Sequence, residues 1–293
     1  MVVLCKLHKK RSGKRGISPV ISSVIMTGAI VAILSVALVF ANDLLWSRVA
    51  EGEFNSSEQM MQTAGLQIDD VAWTAGRTET IGYASQYGSV VLEPSVITYN
   101  VTVVTDEGPT SFVDTTGVLM FNMPTSRYSI SDDYWARIYP DPDDSLTLTG
   151  TSAPVARVFA IERTPMPDGK YIRVVTAPSI RVLSSAINTS TNTYYIRMYL
   201  PVLSAGESPR LTQSITFTGE SVQAYTLDGV LSVSVSVDFP RGASASFDSG
   251  FFNFPESSQT IDVPSIVPSP NDGYHDVVFE LYLSEVSVGF GVS

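Results

Sequence analysis

The chain has 293 residues, enough for a membrane segment plus one sizeable domain or two small ones, and only 16% of them are charged. The net charge of −11 is uneven: residues 1–16 hold six bases and no acid, which leaves residues 17–293 with 12 Lys and Arg against 29 Asp and Glu, or −17. That acidity argues against nucleic acid as a partner of the main domain, and the sole cysteine, Cys5, leaves no disulfide or thiolate metal site beyond it.

The first segment is a basic leader, Met1 to Gly16, carrying Lys6, Lys9, Lys10, Arg11, Lys14 and Arg15. Ile17 to Asn42 then runs for 26 residues without a formal charge. As a helix it covers about 39 Å, more than the roughly 30 Å of a bilayer's hydrocarbon core. A buried helix of a soluble protein normally carries a polar stripe, and this one has none. Bases before it and Asp43 after it place the N-terminus in the cytoplasm and the bulk of the chain outside.

Asp43 to about Trp73 lacks proline and spaces Leu45, Val49, Met60, Met61, Leu66 and Ile68 among polar residues, which predicts a helical extension ending at Thr74-Ala75-Gly76. Gly52 and Asn55 predict a kink or frayed turn in its middle. From residue 77 the pattern turns to strands. Apolar and polar residues alternate over Leu231–Val237 and Val277–Leu283. Further strands are expected at 88–105, 116–122, 145–151, 155–163, 171–184, 193–203 and 212–226, with turns at Asp228-Gly229, Pro167-Asp168-Gly169, Asn188-Thr189-Ser190 and Asn271-Asp272-Gly273. Proline-rich breaks near 139–144 and 264–270 read as long loops. The expected fold class is therefore α+β: a long N-terminal hydrophobic helix over 17–75, then an antiparallel all-β, sandwich-like extracellular domain over 76–293, with a distorted barrel as the other closed form.

The catalytic inventory is thin, and no enzyme or cofactor is expected. Beyond the leader the one histidine is His275, in a turn-like Asp-Gly-Tyr-His-Asp stretch, and no G-x-S-x-G, H-E-x-x-H or P-loop pattern occurs. No metal is expected either. Asp141, Asp143 and Asp144 form a weak Ca²⁺ candidate, since clustered carboxylates suit a hard cation, but they lack the Gly and distal Glu of an EF-hand loop. With Asp132-Asp133 they also read as a solvated turn region. Tyr134, Trp135 and Tyr139 read as a carbohydrate- or surface-binding patch or as core aromatics. Asn55, Asn100 and Asn188 open N-x-[ST] sequons and are candidate glycan acceptors on an extracellular domain.

The N-terminus discriminates between two kinds of processing. A secretory signal is cut after its apolar stretch, for which Val39-Phe40-Ala41 is a candidate site. The other arrangement cuts before it, at Lys14-Arg15-Gly16 followed by Ile17-Ser18-Pro19-Val20-Ile21. That block resembles the N-termini of archaeal type IV pilins and pilin-like proteins, over residues 14 to about 41. The resemblance implies that a membrane-embedded prepilin peptidase, recognising Lys14, Arg15, Gly16, Ile17, Ser18 and Pro19, cuts after Gly16. It further implies that an assembly ATPase and a polytopic platform protein draw the subunit from the membrane into a self-assembled surface filament. Ile21 stands where bacterial pilins commonly carry Glu, so the bacterial registration mechanism is not implied. Ser22, Ser23, Thr27, Gly28, Ala29, Ala32, Ser35 and Ala37 are small enough for identical helices to approach closely. The competing readings are a membrane-anchored surface or ligand-binding protein that does not polymerise, and an anchored secreted hydrolase.

Overall fold

A computed structural model describes residues 19–130, 134–140, 146–150, 153, 155–162, 171–188, 193–207, 213–240, 252, 257–261, 263 and 276–291. The chain divides between Arg48 and Val49 into two compact units. A single helix, α1 (Pro19–Ala72, 54 residues), supplies the described part of the first unit and opens the second. Its expected break is absent. The helix continues through Gly52 and Asn55, which are both exposed, because Phe54 and Ser57 are buried on the opposite side and hold the turn.

The second half of α1 is amphipathic. Ala50, Phe54, Ser57, Met61, Ala64, Ile68 and Val71 are buried at alternating spacings of three and four residues, one stripe of a 3.6-residue repeat. Of the residues expected to form this face, Met60, Met61 and Ile68 are buried, whereas Leu45, Val49 and Leu66 are exposed. The true stripe relies on alanines and a serine, whose small side chains let the helix lie close to the strands. The helix stops at Ala72, at the turn expected around residues 74–76.

Among the described residues thirteen strands follow in chain order: β1 (Thr78–Gly82), β2 (Ser89–Thr105), β3 (Gly108–Pro124), β4 (Tyr134–Tyr139), β5 (Thr147–Thr149), β6 (Ala156–Glu162), β7 (Tyr171–Pro178), β8 (Ile180–Asn188), β9 (Thr193–Ala205), β10 (Ser214–Leu227), β11 (Val230–Asp238), β12 (Ser258–Ile261) and β13 (Asp276–Phe290). They form two sheets, β1-β10-β13-β9-β8-β5 and β12-β11-β2-β3-β7-β6-β4. The expectation of an antiparallel domain is corrected on one point: the sheets are mixed. Strands β9 and β13 run parallel from the Thr193–Asp276 pair to Ala205–Val288, and β5 pairs with β8 in parallel over three residues. Residue alternation reports which face is buried and carries no information on the direction of the neighbouring strand.

Alternation does set the faces. In β11, Val233, Val235 and Val237 are buried while Ser232, Ser234 and Ser236 face outward. The run expected as one strand over 171–184 is two strands in different sheets. The chain changes sheets at Pro178 and Ser179, where Tyr99 Oη donates to the Pro178 carbonyl (2.9 Å) and the Ser179 N–H donates to Val155 O (2.8 Å). The short strands β1, β4 and β12 were not expected from the sequence. Of the breaks expected near 139–144 and 264–270, Tyr139 instead ends β4, and 141–144 and 264–270 lie outside the described residues.

Two hydrophobic clusters hold this unit together. The first lies between the sheets and joins Tyr99, Val101, Met120 and Val235 of one to Val182, Ile196, Met198 and Phe279 of the other. The second joins Phe54, Met61, Ile68 and Val71 of α1 to Leu119, Phe121 and Val174 of one sheet and Ile215, Phe217 and Val288 of the other. Buried polar contacts fix the helix in place: Thr176 Oγ1 donates to Met61 O at 3.0 Å, and Ser284 Oγ donates to Ala72 O. Gly219 lets β10 approach the helix end, since a Cβ there would lie 2.3 Å from Val71 O. Tyr134, Trp135 and Tyr139 are half-buried against the core. Trp135 packs against the first cluster, and Tyr134 and Tyr139 against the second.

Candidate functional site, the bare apolar helix

Pro19 is the first residue of α1, a position where its missing N–H breaks no helical hydrogen bond and its fixed φ suits the first turn. Lys14, Arg15, Gly16, Ile17 and Ser18 lie outside the described residues. From Val20 to Val49 the helix is exposed on every side, including Val20 at 69%, Leu38 at 70% and Phe40 at 71%. Burying one such side chain is worth about 1.5–3 kcal/mol. A water-exposed helix of this composition forfeits that repeatedly, so the segment suits lipid or other helices. By length and composition this is one helix able to cross a membrane.

Two serine hydroxyls of the segment are turned inward on the helix itself. Ser23 Oγ donates to Val20 O at 2.9 Å, and Ser35 Oγ donates to Val31 O at 2.8 Å. Hydroxyls satisfied this way cost little in an apolar medium. At helical spacing Gly28, Ala32 and Ser35 share one face, Ser22 and Ala29 a second, and Ser23, Thr27 and Ala37 a third. Gly28 has no explanation within the monomer. A Cβ there would meet nothing within 4 Å, yet glycine inside a helix costs about 1 kcal/mol relative to alanine. Small residues of this kind are what close helix–helix packing in lipid uses.

In the second unit, sequence reasoning missed Glu53. Its carboxylate accepts the Ser85 hydroxyl and the backbone N–H groups of Gln86 (3.0 Å), Tyr87 (3.2 Å) and Gly88 (2.8 Å), so one helical side chain clamps the β1–β2 loop. Burial pushes this carboxyl up, but the four hydrogen bonds outweigh it and hold it below the ordinary glutamate range. No local motif marks Glu53, because every partner lies more than thirty residues away.

The sequons differ in setting. Asn55 is exposed on α1, but the Ser57 hydroxyl of its sequon is buried and donates to Phe54 O at 2.6 Å. Asn100 sits within β2, paired with Val113 and Ser236 and half-buried. Asn188 ends β8 opposite Thr193, and Thr189 and Ser190 lie outside the described residues. Asp141, Asp143, Asp144 and His275 also lie outside them. Among the described residues, no three His, Cys, Asp or Glu side chains form a metal-ligating group.

Two open grooves cross the outer surface of the strands. One, of about 680 Å³, is lined by Glu207, Glu220 and Glu285 among Ser, Thr and Gly. The other, of about 530 Å³, includes Asp114, Phe112, Tyr225 and again Glu285. Among the described residues, no lysine or arginine lines either. Burial raises the Asp114 carboxyl. Comparison with protein-family models, with curated proteins and with solved structures returned no match.

Proposed function

We propose that this chain is a pilin-like structural subunit of an archaeal type IV surface filament, used for attachment. A prepilin peptidase cuts the precursor after Gly16. Ile17 to about Arg48 then spans the membrane with the N-terminus in the cytoplasm, until the assembly ATPase and platform protein bring the subunit into a filament. There the helix packs against copies of itself, and the acidic β domain, with its two sheets packed in a sandwich-like body, coats the outside. The observation that carries this reading is the helix from Val20 to Val49, apolar and exposed all round, whereas the other described apolar residues are largely buried in two clusters. The unexplained Gly28 and the block Lys14–Ile21 support it.

Mass spectrometry of the surface-exposed product is expected to find Ile17 at its N-terminus, and Gly16→Asp is expected to leave a longer, membrane-retained precursor. A product starting at Met1 or Asn42 overturns the cleavage. Electron microscopy separates polymer from anchor: helical filaments containing this chain are expected, and a dispersed membrane protein would instead identify a non-polymerising anchored subunit.

A further inference from the structure

We infer that association between copies of this chain is gated by salt, because the strand-rich unit exposes acids while its described arginines are already engaged within their own copy. The inference rests on the filament reading above. Beyond residue 16 the chain has a single lysine, Lys170. The arginines whose side chains are described are already committed within their own copy. Arg77 pairs with Asp70 and Glu79, Arg181 with Asp69, and Arg197 with Glu280. Arg127 and Arg137 lie over the rings of Tyr87 and Trp135, Arg173 is buried, and Arg48 also has a partner. By contrast, Glu107, Glu207, Glu220, Asp228, Asp238 and Glu285 are exposed, and three of them line a groove without a base.

A neighbouring copy therefore brings acid to acid. Helix packing supplies an attraction indifferent to ionic strength, while bodies of charge −17 repel over a distance set by the electrolyte. The screening length is about 10 Å at 0.1 M salt and about 3 Å at 1 M, so repulsion spans the gap between neighbouring domains in the first case and is confined to direct contact in the second. Mobile cations are the partner this surface requires, with no fixed binding site needed. In dilute electrolyte the same charge keeps subunits apart in the membrane.

The test measures the protein concentration at which the mature full-length chain passes from monomer to filament, by sedimentation and electron microscopy, between about 0.1 and 1 M NaCl. That concentration is expected to fall by about tenfold or more as screening sets in. A sixfold variant (Glu107→Gln, Glu207→Gln, Glu220→Gln, Asp228→Asn, Asp238→Asn, Glu285→Gln) with unchanged near-ultraviolet circular dichroism is expected to assemble at several-fold lower salt. Equal assembly of the native chain at both salts, or a variant with an unshifted salt threshold, overturns the gating and leaves the filament reading standing. Absence of filaments at every salt overturns both.

Discussion

The two halves of α1 are one uninterrupted helix built on opposite plans. From Val20 to Val49 apolar side chains point in every direction and all are exposed, whereas from Ala50 to Ala72 a narrow stripe is buried and the other faces are wet. The first half has no preferred face and so suits an environment that is apolar all round. The second half has one face and finds its partner in the strands of its own chain. A helix can thus belong to two solvents, and the change of plan falls at the boundary between the compact units, Arg48 to Val49.

The largest expected effect tests that contrast with one residue type. Phe54→Ala empties a fully buried site among Met61, Phe121 and Tyr128 and is expected to destabilise the β domain by about 3–5 kcal/mol. Phe40→Ala removes the same ring from the bare half, 71% exposed, and is expected to change domain stability by less than about 0.5 kcal/mol. Denaturant melts of the full mature chain in detergent micelles compare the two, and similar losses would break the distinction.

Two glycines sharpen it. Gly219→Ala forces a methyl to within 2.3 Å of Val71 O and is expected to cost the β domain about 1–3 kcal/mol in the same melts. Gly28→Leu meets only open space in the monomer, so the melt is expected to stay put while filament yield falls. Unchanged filaments would remove the case for close helix approach at Gly28.

The smallest effect concerns the Glu53 clamp on the β1–β2 loop. Its carboxyl titrates lower in the folded chain than in the unfolded one. Its contribution is therefore complete above the unfolded value and disappears as the pH falls through the folded one. Glu53→Gln is expected to cost about 1 kcal/mol near neutrality, the net worth of a partly solvated hydrogen-bonded carboxylate. It is also expected to lose less stability than the native chain on acidification through that window. Parallel stability–pH curves for both proteins would exclude the clamp.

Much of the fold is legible in residues 17–293. The uncharged run reads as a spanning helix because hydropathy is a sum over neighbours, and β2, β9 and β11 fall within two residues of their expected bounds because alternation is also local. Strand β3 begins earlier than expected, at Gly108, because its first half lacks a clear apolar rhythm and is held by pairing with β2 across a tight hairpin. The candidate site is legible to the same degree. Small residues along the helix can be listed from the sequence, whereas the open space around Gly28 and the crowding of Gly219 against Val71 are visible only in the folded chain. The acidic balance was countable, whereas the engagement of Arg77, Arg181 and Arg197 with carboxylates of their own copy was not.

By itself, then, the sequence determined that an apolar, charge-free helix precedes an acidic strand-rich domain, since both properties are written in runs of adjacent residues. Tertiary structure decided which stripe of the helix is covered, that β9 and β13 run parallel, and that the chain changes sheets at Ser179. Those choices depend on partners far apart in sequence, such as Ser284 with Ala72 and Thr176 with Met61, whose contact free energy exists only once the whole domain has closed.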